Sequence, residues 1–107
     1  MTDDDAMPAG MAGAEWAARQ ELAACYRVFD LLGWSELIYN HITLRVPGEA
    51  GAFLINRFGL HFSEVTASNL VKVAIDGTRL DGSNAPVNLA GFVQHAAFHQ
   101  GVPDAHC

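Results

Sequence analysis

His95-Ala96-Ala97-Phe98-His99 is the tightest grouping of chemically active side chains in the 107-residue sequence. Histidines four apart share one face of a helix, where they could ligate zinc with His106 as a third ligand after the next turn. The position that holds a general-base Glu in the HExxH arrangement is Ala96 here, so one packed and one solvated histidine is the commoner explanation. His41 and His61 are candidate titrating groups near neutral pH, although a surface or hydrogen-bonding role accounts for each. Glu64 in the first turn of a short helix is explained by the helix dipole. Gly59, in Asn56-Arg57-Phe58-Gly59-Leu60, could turn backbone N–H groups toward an anion beside Arg57. A tight turn accounts for the same glycine. No phosphate loop, dinucleotide fingerprint or nucleophile elbow is present.

These side chains need elements to position them. Residues 1–13 form an acidic, Gly/Ala/Pro/Met-rich tail with no period, expected to be mobile. A helix is expected from Ala14 to Leu32, with Trp16, Leu22, Ala23, Cys25, Tyr26, Phe29 and Leu31 on a buried stripe and Gly33 as its stop. Cys25 on that stripe reads as inert core. His41-Ile42-Thr43-Leu44-Arg45-Val46 alternates polar and apolar residues and predicts a strand ended by Pro47-Gly48. Ala52-Phe53-Leu54-Ile55 predicts a second, antiparallel to the first. Ser63 is expected to cap a short helix over Glu64–Leu70. Val71–Ile75 predicts another strand, with a hairpin turn at Asp76-Gly77 and a return through Thr78-Arg79-Leu80. A last helix runs from Leu89 to Gln100, capped by Asn88 and stopped by Gly101 and Pro103. Helix, antiparallel strands and helix together describe an α/β layer protein. The chain reads as if it stops within the domain.

Composition narrows the partners. Half of the residues are apolar, 17% are charged, and 12 acidic against 6 basic residues give a net charge of -6. Such a surface repels phosphate backbones and anionic lipid, so neither nucleic acid nor membrane is an expected partner. No apolar run approaches the ~18 residues a spanning helix needs, and no secretory signal is recognisable. Cys25 and Cys107 form no CxxC pair, which fits reduced thiols in a cytoplasmic protein.

Beyond spacing and composition, Ile38-Tyr39-Asn40-His41-Ile42-Thr43 and Ser63-Glu64-Val65-Thr66-Ala67-Ser68 resemble the class II aldolase/adducin family, specifically its adducin-type branch. Phe53-Leu54-Ile55, Phe58-Gly59-Leu60, Val87-Asn88-Leu89-Ala90-Gly91-Phe92, His95 and Pro103-Asp104 extend the resemblance over about Glu21 to Cys107. It implies a three-layer α-β-α domain with a largely antiparallel sheet, apparently truncated here, running from residue 14 to 107. It also implies an oligomer and a divalent metal, zinc in the first instance, held by histidines that would follow Cys107. In the family's enzymes the metal stabilises a forming enediolate, and a carboxylate moves the proton.

The position of that carboxylate is Gly91 in this chain, so the resemblance supplies no catalytic residue. Asn40 and Gly59 match positions that bind the sugar phosphate, but Phe58 replaces a Thr, and Leu89 and Ala90 replace two serines. The substrate implied is a small unphosphorylated carbonyl or hydroxy compound, handled by a metal-dependent lyase or isomerase in a complete chain. The segment alone is expected to be inactive and to associate with itself. The alternative is a non-catalytic interaction module like the adducin head, whose actin and spectrin partners would follow only from the resemblance.

Overall fold

Ala52-Phe53-Leu54-Ile55 is buried at all four positions. Side chains on a strand point alternately to its two faces, so this strand needs a covering layer on both. The computed structural model, which describes residues 6–107, supplies them. Helix α1 (Gly13–Leu31) covers Ala52 and Leu54, and helix α2 (Leu89–Gly101) covers Phe53 and Ile55. Between them lies an antiparallel sheet in the order β1 (Leu44–Arg45), β2 (Ala52–Ile55), β3 (Val71–Ala74). Register places Arg45 opposite Phe53 and Lys72 opposite Leu54. The result is a three-layer α-β-α sandwich with one apolar cluster on each side of the sheet.

The α1 layer packs Ala18, Leu22, Ala23 and Tyr26 against Leu44, Val46, Leu54, Phe62 and Val65. It also carries a charged network. Arg19, 2% exposed, donates to the Glu15 carboxylate and to the Ala67 and Leu70 carbonyls. Lys72, on the same face of the sheet, joins Glu15 and Glu49, each at 2.7 Å. Burial alone would raise the Glu15 carboxyl, but hydrogen bonds from Lys72 and Arg19 hold it below its ordinary value. The Lys72 ammonium is raised above its ordinary value by Glu15 and Glu49, against the burial that would lower it.

Several sequence expectations change. The paired part of the first strand is only Leu44–Arg45, because Tyr26 takes the backbone of Ile42 instead of a neighbouring strand. The helix expected over Glu64–Leu70 is a single 3-10 turn, Phe62–Glu64, and Glu64 rather than Ser63 closes it by accepting from the His61 N–H. Thr66 and Asn69 side chains then bond the backbone, offering residues 65–70 an alternative to helix. The return strand Thr78–Leu80 is one bridge, Val73 to Arg79, because the Asp81 carboxylate takes the Lys72 N–H. Leu31 is 84% exposed and leaves the buried stripe, while Cys25 is only half-buried. The two free thiols are Cys25 and Cys107. Part of the expected tail, residues 1–5, lies outside the described residues. Pro8 to Met11 form one wall of a groove with Glu15, Lys72, Leu80 and Asp81. Among the described residues no helix is long and apolar enough to cross a membrane.

Candidate functional site

The polar members of the 41–46 segment do not face water. With Ile42, Leu44 and Val46 turned toward α1, alternation sends His41, Thr43 and Arg45 toward α2. There His95 and His99, one turn apart, meet them. His41 Nδ1 lies 2.7 Å from His95 Nε2, and Thr43 Oγ1 lies 2.6 Å from His95 Nδ1 and 2.8 Å from His99 Nε2. Four side chains thus form one continuous hydrogen-bonded relay, in which Thr43 is 1% and His99 4% exposed.

Three local features hold the relay in place. The Tyr26 hydroxyl accepts from the Ile42 N–H and sits against the Ile42 carbonyl and Asn56 Oδ1, which fixes the backbone between His41 and Thr43. Burial raises that phenol's pKa, so it remains protonated. At the other end, the Arg45 guanidinium binds the carbonyls of His99, Val102 and Ala105, closing the C-terminus of α2. Phe53 packs against the His99 ring, with centroids 4.9 Å apart. Asn88 opens α2 as expected, its side chain accepting from the Ala90 and Gly91 N–H groups.

Electrostatics keep the two histidines of α2 neutral. Burial, then the neighbouring His41 and His99 rings, push His95 down to about 4. Burial and the Arg45 charge lower His99 as well, opposed by the Ala105 carbonyl. Both imidazoles are therefore uncharged at pH 7.

Gly91 has a specific reason to be glycine. A Cβ there would stand 2.6 Å from His41 Cδ2 and 2.8 Å from Nε2. The imidazole of His41 thus occupies the space that a side chain at position 91 would enter. Of the other expected site residues, Asn40 uses its amide oxygen to accept from the Glu36 N–H. Its carbonyl meets Asn56 Nδ2 at 3.4 Å, so its loop adjoins the one that carries Gly59. Gly59 adopts φ +102°, with open space where a Cβ would point, so conformation rather than crowding selects glycine there. Leu89 is 74% exposed at the start of α2, where serines would offer hydroxyls.

His95 and His99 both turn ring nitrogens to Thr43, and His106 is exposed. Among the described residues no three His, Cys, Asp or Glu side chains come together to hold a metal. The described residues by themselves do not fit the metal that the resemblance implies. A cavity of about 230 Å³ adjoins the relay, lined by Thr43, His95, Phe98, His99, Val102 and Cys107 among others. Sequence reasoning missed Thr43 and Arg45. The signal was the polar alternation of residues 41, 43 and 45 read together with the i, i+4 histidines.

Comparison with known proteins agrees with this architecture. Residues 20–107 match the family described as Class II Aldolase and Adducin N-terminal domain. The chain is 48% identical to an aldolase II superfamily protein from Pseudomonas syringae of known structure, with a TM-score of 0.84, covering 90% of this chain and 39% of that one. It superimposes on L-fuculose 1-phosphate aldolase from Glaciozyma antarctica PI12 with a TM-score of 0.80 at 33% identity, covering 94% and 43%. Alpha-adducin from Rattus norvegicus is 56% identical over 91 residues, which are 83% of this chain and 12% of that protein. The chain spans 36% and 38% of the length of two bacterial relatives, each 48% identical to it.

Proposed function

Because the chain belongs to the class II aldolase and adducin N-terminal domain family, we propose that it forms part of a lyase or isomerase site for a small unphosphorylated carbonyl or hydroxy compound. The observation that carries this reading is the imidazole of His41 packed on Gly91, at the position where the resembled enzymes hold their proton-moving carboxylate. A proton-handling group is thus retained there in another form. Leu89, Ala90 and Phe58, in place of hydroxyl donors, argue against a phosphate ester. A divalent metal would need ligands beyond those described, and when bound it would polarise the substrate's oxygen. What this chain contributes is a tightly held set of imidazoles, of which His95 and His99 are neutral at pH 7. Free thiols at Cys25 and Cys107 support a reducing, cytoplasmic setting. Leu89, Val93 and Phe98, exposed on α2, support association with further chain or with a second copy.

The test is proton exchange. The protein from its natural source, supplied with zinc, is incubated in D2O with dihydroxyacetone or with its phosphate, and loss of C–H signal is followed by NMR. The unphosphorylated compound should exchange at least about tenfold faster, a difference of about 1.4 kcal/mol in barrier. Faster exchange of the phosphate ester would contradict the substrate class. A folded protein with no exchange on either compound would favour a non-catalytic adducin-like module, a reading supported by the 56% identity to rat alpha-adducin.

A further inference from the structure

The turn from Arg57 to Gly59 carries donors that nothing else in the fold engages. The chain has 6 basic residues against 12 acidic ones. Arg19 and Lys72 are tied to carboxylates, and Arg45 and Arg79 bind backbone carbonyls. Arg27 lies within α1 with its Nε buried. Arg57 is exposed, and its guanidinium makes no hydrogen bond or ion pair among the described residues. Two residues on, Gly59 is exposed at φ +102°, and its N–H is likewise without a partner there.

This turn adjoins the His41 site. Asn56, the residue before Arg57, meets the carbonyl of Asn40, the residue before His41, at 3.4 Å. The Phe58 N–H donates to the Pro86 carbonyl at 2.8 Å, which ties the turn to the loop that opens α2. The His41 ring is packed on Gly91 in the first turn of that helix. The positive end of α2 therefore belongs to the same group of loops, and its first turn holds no acid. Across residues 34–41, 56–60 and 84–91 the one acid is Glu36.

We propose that the Arg57–Gly59 turn is the anion subsite of the site built on His41, and that the anion is the carboxylate of a small hydroxy or oxo acid. The inference narrows the substrate class proposed above and rests on that reading. A carboxylate presents its oxygens in one plane, which a guanidinium meets with parallel N–H donors. The Gly59 N–H adds a further donor from the turn. A phosphate ester carries more oxygens to satisfy, and Phe58, Leu89 and Ala90 stand where hydroxyls would complete its shell. Charge selects in the same direction. A chain of net charge -6 repels one carboxylate less than a phosphate dianion.

The test is binding, read by NMR on the protein from its natural source. Titration with pyruvate, an oxo acid, should shift the Gly59 amide and the Arg57 Nε–H. Methyl pyruvate lacks the charge and should bind at least about tenfold more weakly, as should inorganic phosphate. Arg57→Gln should weaken pyruvate by a similar factor with little change in melting temperature, because the side chain has no partner among the described residues. Arg57→Lys keeps the charge without the planar donors and should recover only part of the affinity. Equal affinity for ester and acid, tighter binding of phosphate, or normal pyruvate binding by Arg57→Gln would each overturn the proposal. The proton-transfer reading fails separately. Dihydroxyacetone exchange without pyruvate binding removes the subsite and leaves that reading. Pyruvate binding at Arg57 without exchange on either dihydroxyacetone compound removes that reading and leaves the turn as a carboxylate site alone.

Discussion

Glu15→Ala should destabilise the fold by about 3–5 kcal/mol, the cost of breaking a buried ion pair from one side. Its carboxylate is the only acid that touches Arg19 among the described residues, and Arg19 is 2% exposed. Removing it leaves a guanidinium in the core with two carbonyls, from Ala67 and Leu70, and no carboxylate in contact among the described residues. Lys72 loses one of its two partners at the same time. For a domain of this size the melting temperature should fall by more than about 12 °C. Glu49→Ala is the control. The Glu49 side chain is 42% exposed, so its pair with Lys72 is screened by solvent and its loss should cost under about 1 kcal/mol. Urea unfolding of the two variants checks the contrast. The pH dependence has a definite sign. Glu15 sits below its ordinary value of 4.5 when folded, so its contribution is present above that pH and is lost as pH falls through the folded pKa. Lys72 is raised above 10.5, so its share holds below that pH and disappears only in stronger base.

Thr43→Val keeps the shape of the side chain and removes one oxygen, yet it should cost about 2–4 kcal/mol. Two ring nitrogens, His95 Nδ1 and His99 Nε2, lose their partner together. Each buried polar group left unpaired costs about 1–3 kcal/mol. Thr43→Ser retains the hydroxyl and should stay within about 1 kcal/mol of the parent. Thermal unfolding of the pair measures the difference. Equal losses in both variants would mean that packing of the methyl group, not the hydroxyl, is what Thr43 supplies.

How far the sequence could be read follows from where each signal is local. Buried Ala52–Ile55, the Asn88 cap and the two helices are set by neighbours within a turn or a strand, and they are legible. The resemblance fixes the family and the layer order, since it draws on blocks from Glu21 to Cys107. The relay is not local. Thr43 and His95 are 52 residues apart, and Thr43 alone is an ordinary strand residue. The alternation of residues 41–46 was visible, but alternation normally pairs a core face with a wet face. Here the polar face meets the histidines of α2. Arg19 and Lys72 were equally hidden, because charged residues are seldom buried unless paired, and their partners come from other elements. Gly91 is the instructive position. Sequence reasoning saw a missing carboxylate, while the structure shows a ring from residue 41 in its place.

The central claim is a packed relay of imidazoles, and His95, held neutral, is its middle member. Titrating the His95 ring by NMR from pH 8 to pH 3.5 tests it most directly. The folded value lies near 4 against an ordinary 6.5. The stability it carries is therefore complete above pH 6.5 and is lost progressively as pH falls from there toward 4. The account predicts that His95 stays neutral until the pH approaches 4, with the melting temperature falling over that same interval. A His95 midpoint near 6.5 in the folded protein would mean a solvated ring free of Thr43 and His41, and would contradict it.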